Sequence, residues 1–379
     1  MRVLFSCVAG DGHFLPLVPL ARAFQERGDE VTFAAASSFL ARVEATGFAA
    51  AAAGLDHREL EMLFTEDRKR VESLPLAERR AFAFPRRFGR LDAAARIDEL
   101  RELARELRPD VLVHERAEFA APVVAAQLDL PSVYHGLGRP LPAEIVAGVA
   151  RETAQMWRDA GLEPEPHAGL FRGATVDICP AGLAPDAPPP ATRTFRQRAL
   201  DVAPPAGRMA RSLVYVTLGT VVRDAAALRI VLAALSALDV KVLVTTGAQN
   251  DPAELGTVPA NATIETYLPQ SEVLPRCALV VTHAGSGSLL GALAHGLPLL
   301  ALPHAADQFD NADAAQRAGA GLKLLPDEVS VDAVREAVSD LLAAPSYRDA
   351  AQAIAAEIAA MPPPAETVEK IEELCRSTT

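Results

Sequence analysis

Residues 278–296 read ALVVTHAGSGSLLGALAHG, and no other stretch constrains the fold as tightly. Residues 278–281 form a short, β-branched apolar run of the length expected for a buried parallel strand. The run stops at Thr282-His283. Gly285 and Gly287 then interrupt the apolar pattern, and Ser286 and Ser288 lead into a helical-looking run over 289–295. Strand, small-residue turn and helix together aim free backbone N–H groups and the positive end of a helix dipole at an anion. A turn of this composition can also bind nothing. The imidazole at its start and the polar pair Asp307-Gln308 after the next strand weigh against that.

A chain of 379 residues favours two domains over one. Half of the residues are hydrophobic and only 5% aromatic, so the core must be built of Ala, Leu and Val, as suits helices packed on a parallel sheet. A net charge of −12 argues against indiscriminate nucleic-acid binding. Cys7, Cys179, Cys277 and Cys375 stand far apart and indicate neither a zinc site nor a disulfide framework. The N-terminus reads as a first strand, not a signal peptide, and no apolar run reaches the roughly 18 residues of a membrane span. A cytoplasmic location is the expectation that follows.

The first half opens with a strand over 2–8, a turn over 9–13 and an amphipathic helix over 16–27. Gly28 stands at the C-cap and a second strand covers 30–35, which makes a βαβ unit. A helical run over 91–107, a strand over 111–113, a helix over 120–128 and a strand over 132–135 follow. Between them, residues 57–90 alternate basic and acidic side chains, as in a solvated helical excursion or a lid over a substrate. Seven prolines between 180 and 205 mark a stiff connection and the candidate boundary. The pattern then restarts, with strands over 212–217, 240–245, 262–265, 279–282 and 298–302, and a helix over 225–238. The expected architecture is α/β: two Rossmann-like, doubly wound parallel-sheet domains facing each other across a cleft. The expected domains span 1–205 and 206–362, with a last helix over 363–379.

In open parallel sheets, ligands sit outside the carboxyl ends of the strands. His13 falls there, after Gly10-Asp11-Gly12, and a neutral imidazole is suited to removing a proton near neutral pH. The glycines do not complete GxGxxG, so no dinucleotide fingerprint is present. Taken alone, His13 fits a capping or core role equally well. Glu115, just past the strand over 111–113, is the candidate carboxylate for its other ring nitrogen, with Asp11 as competitor. In the second half, Leu218-Gly219-Thr220, Tyr267-Leu268-Pro269-Gln270, the His283 turn and Ala305-Ala306-Asp307-Gln308 fall on the strand-end edge. A hydroxyl, an aromatic ring, an anion-binding turn and a carboxylate/amide pair match the base, pyrophosphate and sugar hydroxyls of a nucleotide sugar.

On these residues the chain resembles the GT-B glycosyltransferases, specifically the family 1 enzymes that decorate natural products in actinomycetes. The likeness is sharpest over 267–311 and leans toward the enediyne antibiotic enzymes of the calicheamicin and esperamicin type. The resemblance implies that His13 is the general base for the acceptor hydroxyl, assisted by Glu115. It implies that Gly219 and Thr220 meet the donor phosphates, and that Tyr267, with Leu268 and Gln270, packs near the base. His283, Gly285, Ser286, Gly287 and Ser288 would hold the pyrophosphate, and Asp307 and Gln308 would read the sugar hydroxyls. Many relatives carry His-His-Gly-Gly-x-Gly-Thr where this chain has Thr282-His283-Ala284-Gly285-Ser286-Gly287-Ser288. Tyr267 replaces the commoner Trp. Gly291 stands where plant relatives carry a ribose-gripping glutamate, which favours a dTDP-deoxysugar over a UDP-sugar.

The implied reaction is an inverting displacement on a nucleotide-sugar co-substrate, with no tightly bound cofactor and no metal. The resemblance implies that residues 1–205 bind the acceptor, a small-molecule aglycone with Phe64, Phe84, Phe88, His135 and Trp157 as candidate contacts, that 206–362 bind the donor, and that the helix over 363–379 crosses back to the first domain. A homodimer stays open. So do two alternative readings: a catalytically silent homologue that activates a partner transferase, and a nucleotide-sugar epimerase on the same fold.

Overall fold

The computed structural model describes residues 1–200, 212–219, 225–247 and 252–378. They divide into two compact units. The first comprises Met1–Cys179, Pro185–Gln197 and Pro362–Thr379; the second comprises Pro180–Ala184 and Arg198–Met361.

The first unit is built on β1 (Arg2–Ser6), β2 (Glu30–Ala35), β3 (Ala49–Ala52), β4 (Val111–Glu115), β5 (Ser132–His135), β6 (Ala174–Asp177) and β7 (Thr194–Arg196). They pair in parallel in the order β3-β2-β1-β4-β5-β6-β7. The second unit uses β8 (Leu213–Thr217), β9 (Lys241–Thr245), β10 (Ala262–Glu265), β11 (Cys277–Thr282), β12 (Leu299–Ala301) and β13 (Gly321–Lys323). Their order is β10-β9-β8-β11-β12-β13, again parallel. Helices cover both faces of the central strands, so β4 and β11 are buried along their whole length, the polar His114 and Glu115 included. In each sheet the strand order reverses once, between β1 and β4 and between β8 and β11. Crevices open beyond the strand ends at such reversals.

The α/β class with two parallel sheets is as expected, and several elements differ in detail. The chain turns helical at Asp11–Phe14, continues through a 3-10 turn at Leu15–Leu17 and resumes as helix Val18–Glu26. His13 therefore sits on a helical turn, not in a loop. Pro16 and Pro19 each fall at the start of a helical segment, where a missing N–H costs nothing. The strand expected over 111–113 runs on to Glu115, which makes His114 and Glu115 strand residues. β7 lies inside the proline-rich stretch, where an edge strand tolerates neighbouring prolines. The helical run expected from 91 is entered through a π-helix, Pro85–Asp92, ahead of helix Ala93–Leu107. Residues 57–84 form three helices, His57–Leu63, Thr65–Glu72 and Leu76–Phe84. The C-terminal helix Pro364–Thr378 packs on helix Val18–Glu26, and Arg27 donates to Glu372 at 2.7 Å. Cys7, Cys179 and Cys277 are buried and not disulfide-bonded.

Candidate active site

Each unit carries a cluster of polar groups at the reversal point of its own sheet. In the first, Gly10 caps helix Asp11–Phe14, and its carbonyl accepts from the amides of His13 and Phe14 at 3.0 Å each. This turn sets His13 Nδ1 3.1 Å from Glu115 Oε1. The register explains the meeting, because β1 and β4 are neighbours and both residues lie at their carboxyl ends. Glu115 is wholly buried, and its carboxylate accepts from the amides of Val8 at 3.2 Å and Ala117 at 2.7 Å. Burial alone would raise its pKa. The imidazole and the two amide donors outweigh burial and hold the carboxyl below the usual range. Asp11, the competing partner, accepts instead from Arg42 Nε at 2.9 Å.

Phe88 lies beside the imidazole, ring centroids 6.0 Å apart, and Phe84 packs on Phe88 at 4.8 Å. Phe88 comes from the π-helix, a segment type often found at functional sites. The other candidate acceptor contacts lie deeper. Phe64 is buried, and Trp157 is a core side chain under Gly169, where a Cβ would come within 2.6 Å of the indole. Trp157 thus lines no open surface; its helix Ala143–Asp159 turns it into the apolar cluster beneath the sheet. His135 ends β5 next to Glu115 and is also fully buried, with Nδ1 2.6 Å from the Gly136 carbonyl.

In the second unit, β11 ends at Thr282, and the chain passes through His283, Ala284 and Gly285 into helix Ser286–Ala294. Ala284 takes a left-handed φ of 63°, uncommon for a residue with a Cβ. The first intrahelical bond is Leu289 N–H to the Gly285 carbonyl at 2.9 Å, so the amides of Ser286, Gly287 and Ser288 point out of the helix end. The His283 ring is wedged between two glycines. A Cβ at Gly219 would stand 2.7 Å from its Cε1, and one at Gly285 2.5 Å from its Nε2. Gly219 also has a φ of 82°, so glycine is required there twice over. Burial pushes the His283 pKa down to about 4. The ring is therefore neutral at pH 7, and positive potential at this turn comes from the helix terminus.

Asn311, absent from the sequence reading, ties the turn together. Its Nδ2 donates to the Ala284 carbonyl at 2.9 Å, to Asp307 Oδ2 at 3.1 Å and to Ser286 Oγ at 3.2 Å. Ser286 Oγ donates to the same Asp307 oxygen at 2.7 Å. Gln308 Oε1 accepts from the amides of His304 at 2.8 Å and Ala305 at 2.9 Å, so the carbonyl of this side chain holds the loop. Gln270 Nε2 donates to Ser288 Oγ at 3.2 Å. Tyr267 is 61% exposed, its ring open to stacking, and Leu268 beside it is half-buried. Thr220 lies outside the described residues. Among the described residues, no group of three or more His, Cys, Asp or Glu side chains is placed to hold a metal ion, and no helix is long and apolar enough to cross a membrane.

Two parallel-sheet units, each with a polar cluster at its reversal point, define a GT-B type of α/β protein. Residues 22–228 match the N-terminal domain and residues 229–374 the C-terminal domain of the erythromycin biosynthesis protein CIII-like family, and the chain belongs to that family. The L-demethylnoviosyl transferase of Streptomyces niveus is 32% identical over 394 residues, covering 100% of both chains. The solved structure of spinosyn rhamnosyltransferase SpnG with thymidine diphosphate is 26% identical with a TM-score of 0.79, over 98% of this chain and 100% of that one. The calicheamicin glycosyltransferase, at 22% identity and a TM-score of 0.80 over 98% of both chains, shares the fold. The chain is a glycosyltransferase.

Proposed function

We propose that this glycosyltransferase transfers a deoxysugar, with inversion, from a dTDP-sugar to a hydroxyl of a small-molecule aglycone in antibiotic biosynthesis. The observation that carries the reading is the contact of His13 Nδ1 with the buried Glu115 carboxylate. It turns Nε2 into the nitrogen that accepts a proton, and the side chain is 26% exposed and within reach of a ligand. The acceptor O–H proton passes to Nε2, the oxygen bonds to the anomeric carbon, and the bond from that carbon to the diphosphate breaks. Glu115 stabilises the imidazolium that forms.

The donor would lie on the second unit. The outward amides of Ser286, Gly287 and Ser288 meet the pyrophosphate, with the neutral His283 ring as a hydrogen-bonding partner and the helix terminus offsetting charge on the leaving group. Tyr267 offers a stacking face to the base. A thymidine nucleotide is supported by Gly291, which offers no carboxylate to a ribose 2′-hydroxyl, and by the thymidine diphosphate named in the SpnG complex. Asp307 and Gln308 face the donor sugar in this reading, and Phe84 and Phe88 the aglycone. The experiment is calorimetric titration with dTDP and UDP, followed by transfer assays with dTDP-sugars on wild type and His13→Ala. The variant should bind dTDP normally and lose turnover; undiminished turnover overturns the role of His13.

A further inference from the structure

One peptide bond joins two buried charges at the end of β1. The Cys7 carbonyl accepts from Arg96 Nη1 at 3.0 Å, and the Val8 N–H of the same peptide donates to Glu115 Oε1 at 3.2 Å. Arg96 is wholly buried on helix Ala93–Leu107. Its Nε lies 3.4 Å from Asp92 Oδ2, one helical turn back, and 3.7 Å from Glu118 Oε1. Gly54 closes the remaining side, where a Cβ would stand 2.6 Å from Nη2, 2.7 Å from Cζ and 2.8 Å from Nε. Gly54 is itself held by its amide, which donates to Glu99 Oε2 at 2.8 Å.

Burying a guanidinium is costly, and an apolar side chain would fill the same volume without that penalty. Here the group is gripped by two carboxylates, a carbonyl and a glycine floor, and its one hydrogen bond to the backbone leads straight to Glu115. A carbonyl that accepts a charged hydrogen bond polarises its own peptide and strengthens the N–H on the other side. The charges of Asp92 and Glu118 favour the Arg96 guanidinium, against the burial that pushes both carboxyls up, Glu118 to about 7, while Glu115 faces His13.

We infer that Arg96 is a positioning residue for the His13–Glu115 pair, acting through the Cys7–Val8 peptide to hold the carboxylate against the imidazole. The inference rests on the proposed role of His13 only for its consequence in catalysis; the coupling itself is measurable without substrate. The test is an NMR titration of the His13 imidazole in the full chain, its resonance identified by its loss in His13→Gln. Arg96→Lys is measured in the wild-type and in the Glu115→Gln background, and Arg96→Met, which fills the same volume without the charge, is measured in the same two.

Glu115→Gln should lower the His13 pKa, because the carboxylate that favours imidazolium is gone. Arg96→Lys should lower it by about half a unit or more when Glu115 is present, and leave it unmoved when Glu115 is Gln. Where Arg96→Lys does not fold, the difference between the two backgrounds for Arg96→Met decides. No movement in the folded variants, or equal movement in both backgrounds, overturns the inference. His13→Ala retaining full transfer would remove the general-base reading and leave this coupling standing, so the two failures are distinct.

Discussion

The carboxamide oxygen of Gln270 stands in front of Gly291, 3.1 Å from where a Cβ at that position would lie. Leu274 Cδ1 crowds the same point at 3.2 Å, while the Gln270 amide nitrogen reaches Ser288 at the helix start. The missing side chain at 291 therefore makes room for Gln270 beside the anion-binding turn. Gly291→Glu should expel the Gln270 amide and break its bond to Ser288, a loss of about 1 kcal/mol or roughly fivefold in dTDP affinity. Gly291→Ala should cost less affinity, since a methyl group only presses on the tips of Gln270 and Leu274 and brings no charge. Calorimetric titration of both variants with dTDP checks the order; equal affinity in wild type and Gly291→Glu refutes it.

His283 acts as a neutral group in this geometry. With its pKa at about 4, it stays uncharged across the range in which most enzymes work. His283→Ala should weaken dTDP binding about tenfold or more, by removing a hydrogen-bonding partner and leaving a hole between Gly219 and Gly285. The ratio of wild-type to variant affinity should be flat between about pH 5.5 and 8, because neither protein titrates at this position there. A ratio that collapses on going from pH 6 to 8 would mean that His283 binds as imidazolium.

Glu115 lies below the ordinary carboxylate range, so it is ionised throughout the neutral range. The acid limb of kcat should then report a single group, the base that takes the acceptor proton. Glu115→Gln should shift that limb to lower pH and cut the plateau rate about a hundredfold or more, with dTDP affinity unchanged. The pH–rate profiles of the two proteins, recorded with one dTDP-sugar and one acceptor, decide this. An unchanged limb would detach the carboxylate from the base.

Much of this arrangement is written locally in the chain, and the rest is not. β8 and β11 are legible because short apolar runs containing β-branched residues end at a glycine turn. The meeting of His13 with Glu115 follows from both residues lying at the carboxyl ends of strands that adjoin where the sheet order reverses. β3 carries four alanines and no strand propensity of its own; pairing with β2 imposes it. β7 follows a proline run, and β13 is three residues long, too short for a period. Arg96 hides for a different reason. An arginine on a charged amphipathic helix reads as solvent-facing, and only the packing of Gly54 and Glu118 puts it in the core. Asn311 carries a weak signal, since it stands four residues after Asp307 on the same helix face.

Stability should respond to pH in two opposing ways within the first unit. His114 and His135 are held down at about 4 by burial, against 6.5 for an unfolded imidazole. Between these values the unfolded chain binds protons that the folded chain refuses, so their contribution is present above pH 6.5 and lost as pH falls toward 4. Glu118 runs the other way. Burial raises it from 4.5 to about 7, so its contribution is complete below 4.5 and lost as pH rises through 7. Each group changes stability by on the order of 1.4 kcal/mol per pH unit within its window. Relative to wild type, Glu118→Gln should gain stability from pH 5 to 8, whereas His114→Gln should gain as pH falls from 7 to 5. Trp157, the one tryptophan of the chain, lies buried in this unit and reports its unfolding. Urea midpoints followed by its fluorescence at pH 5, 6, 7 and 8 should diverge in these opposite senses; parallel curves for wild type and both variants would show that neither group changes its proton on folding.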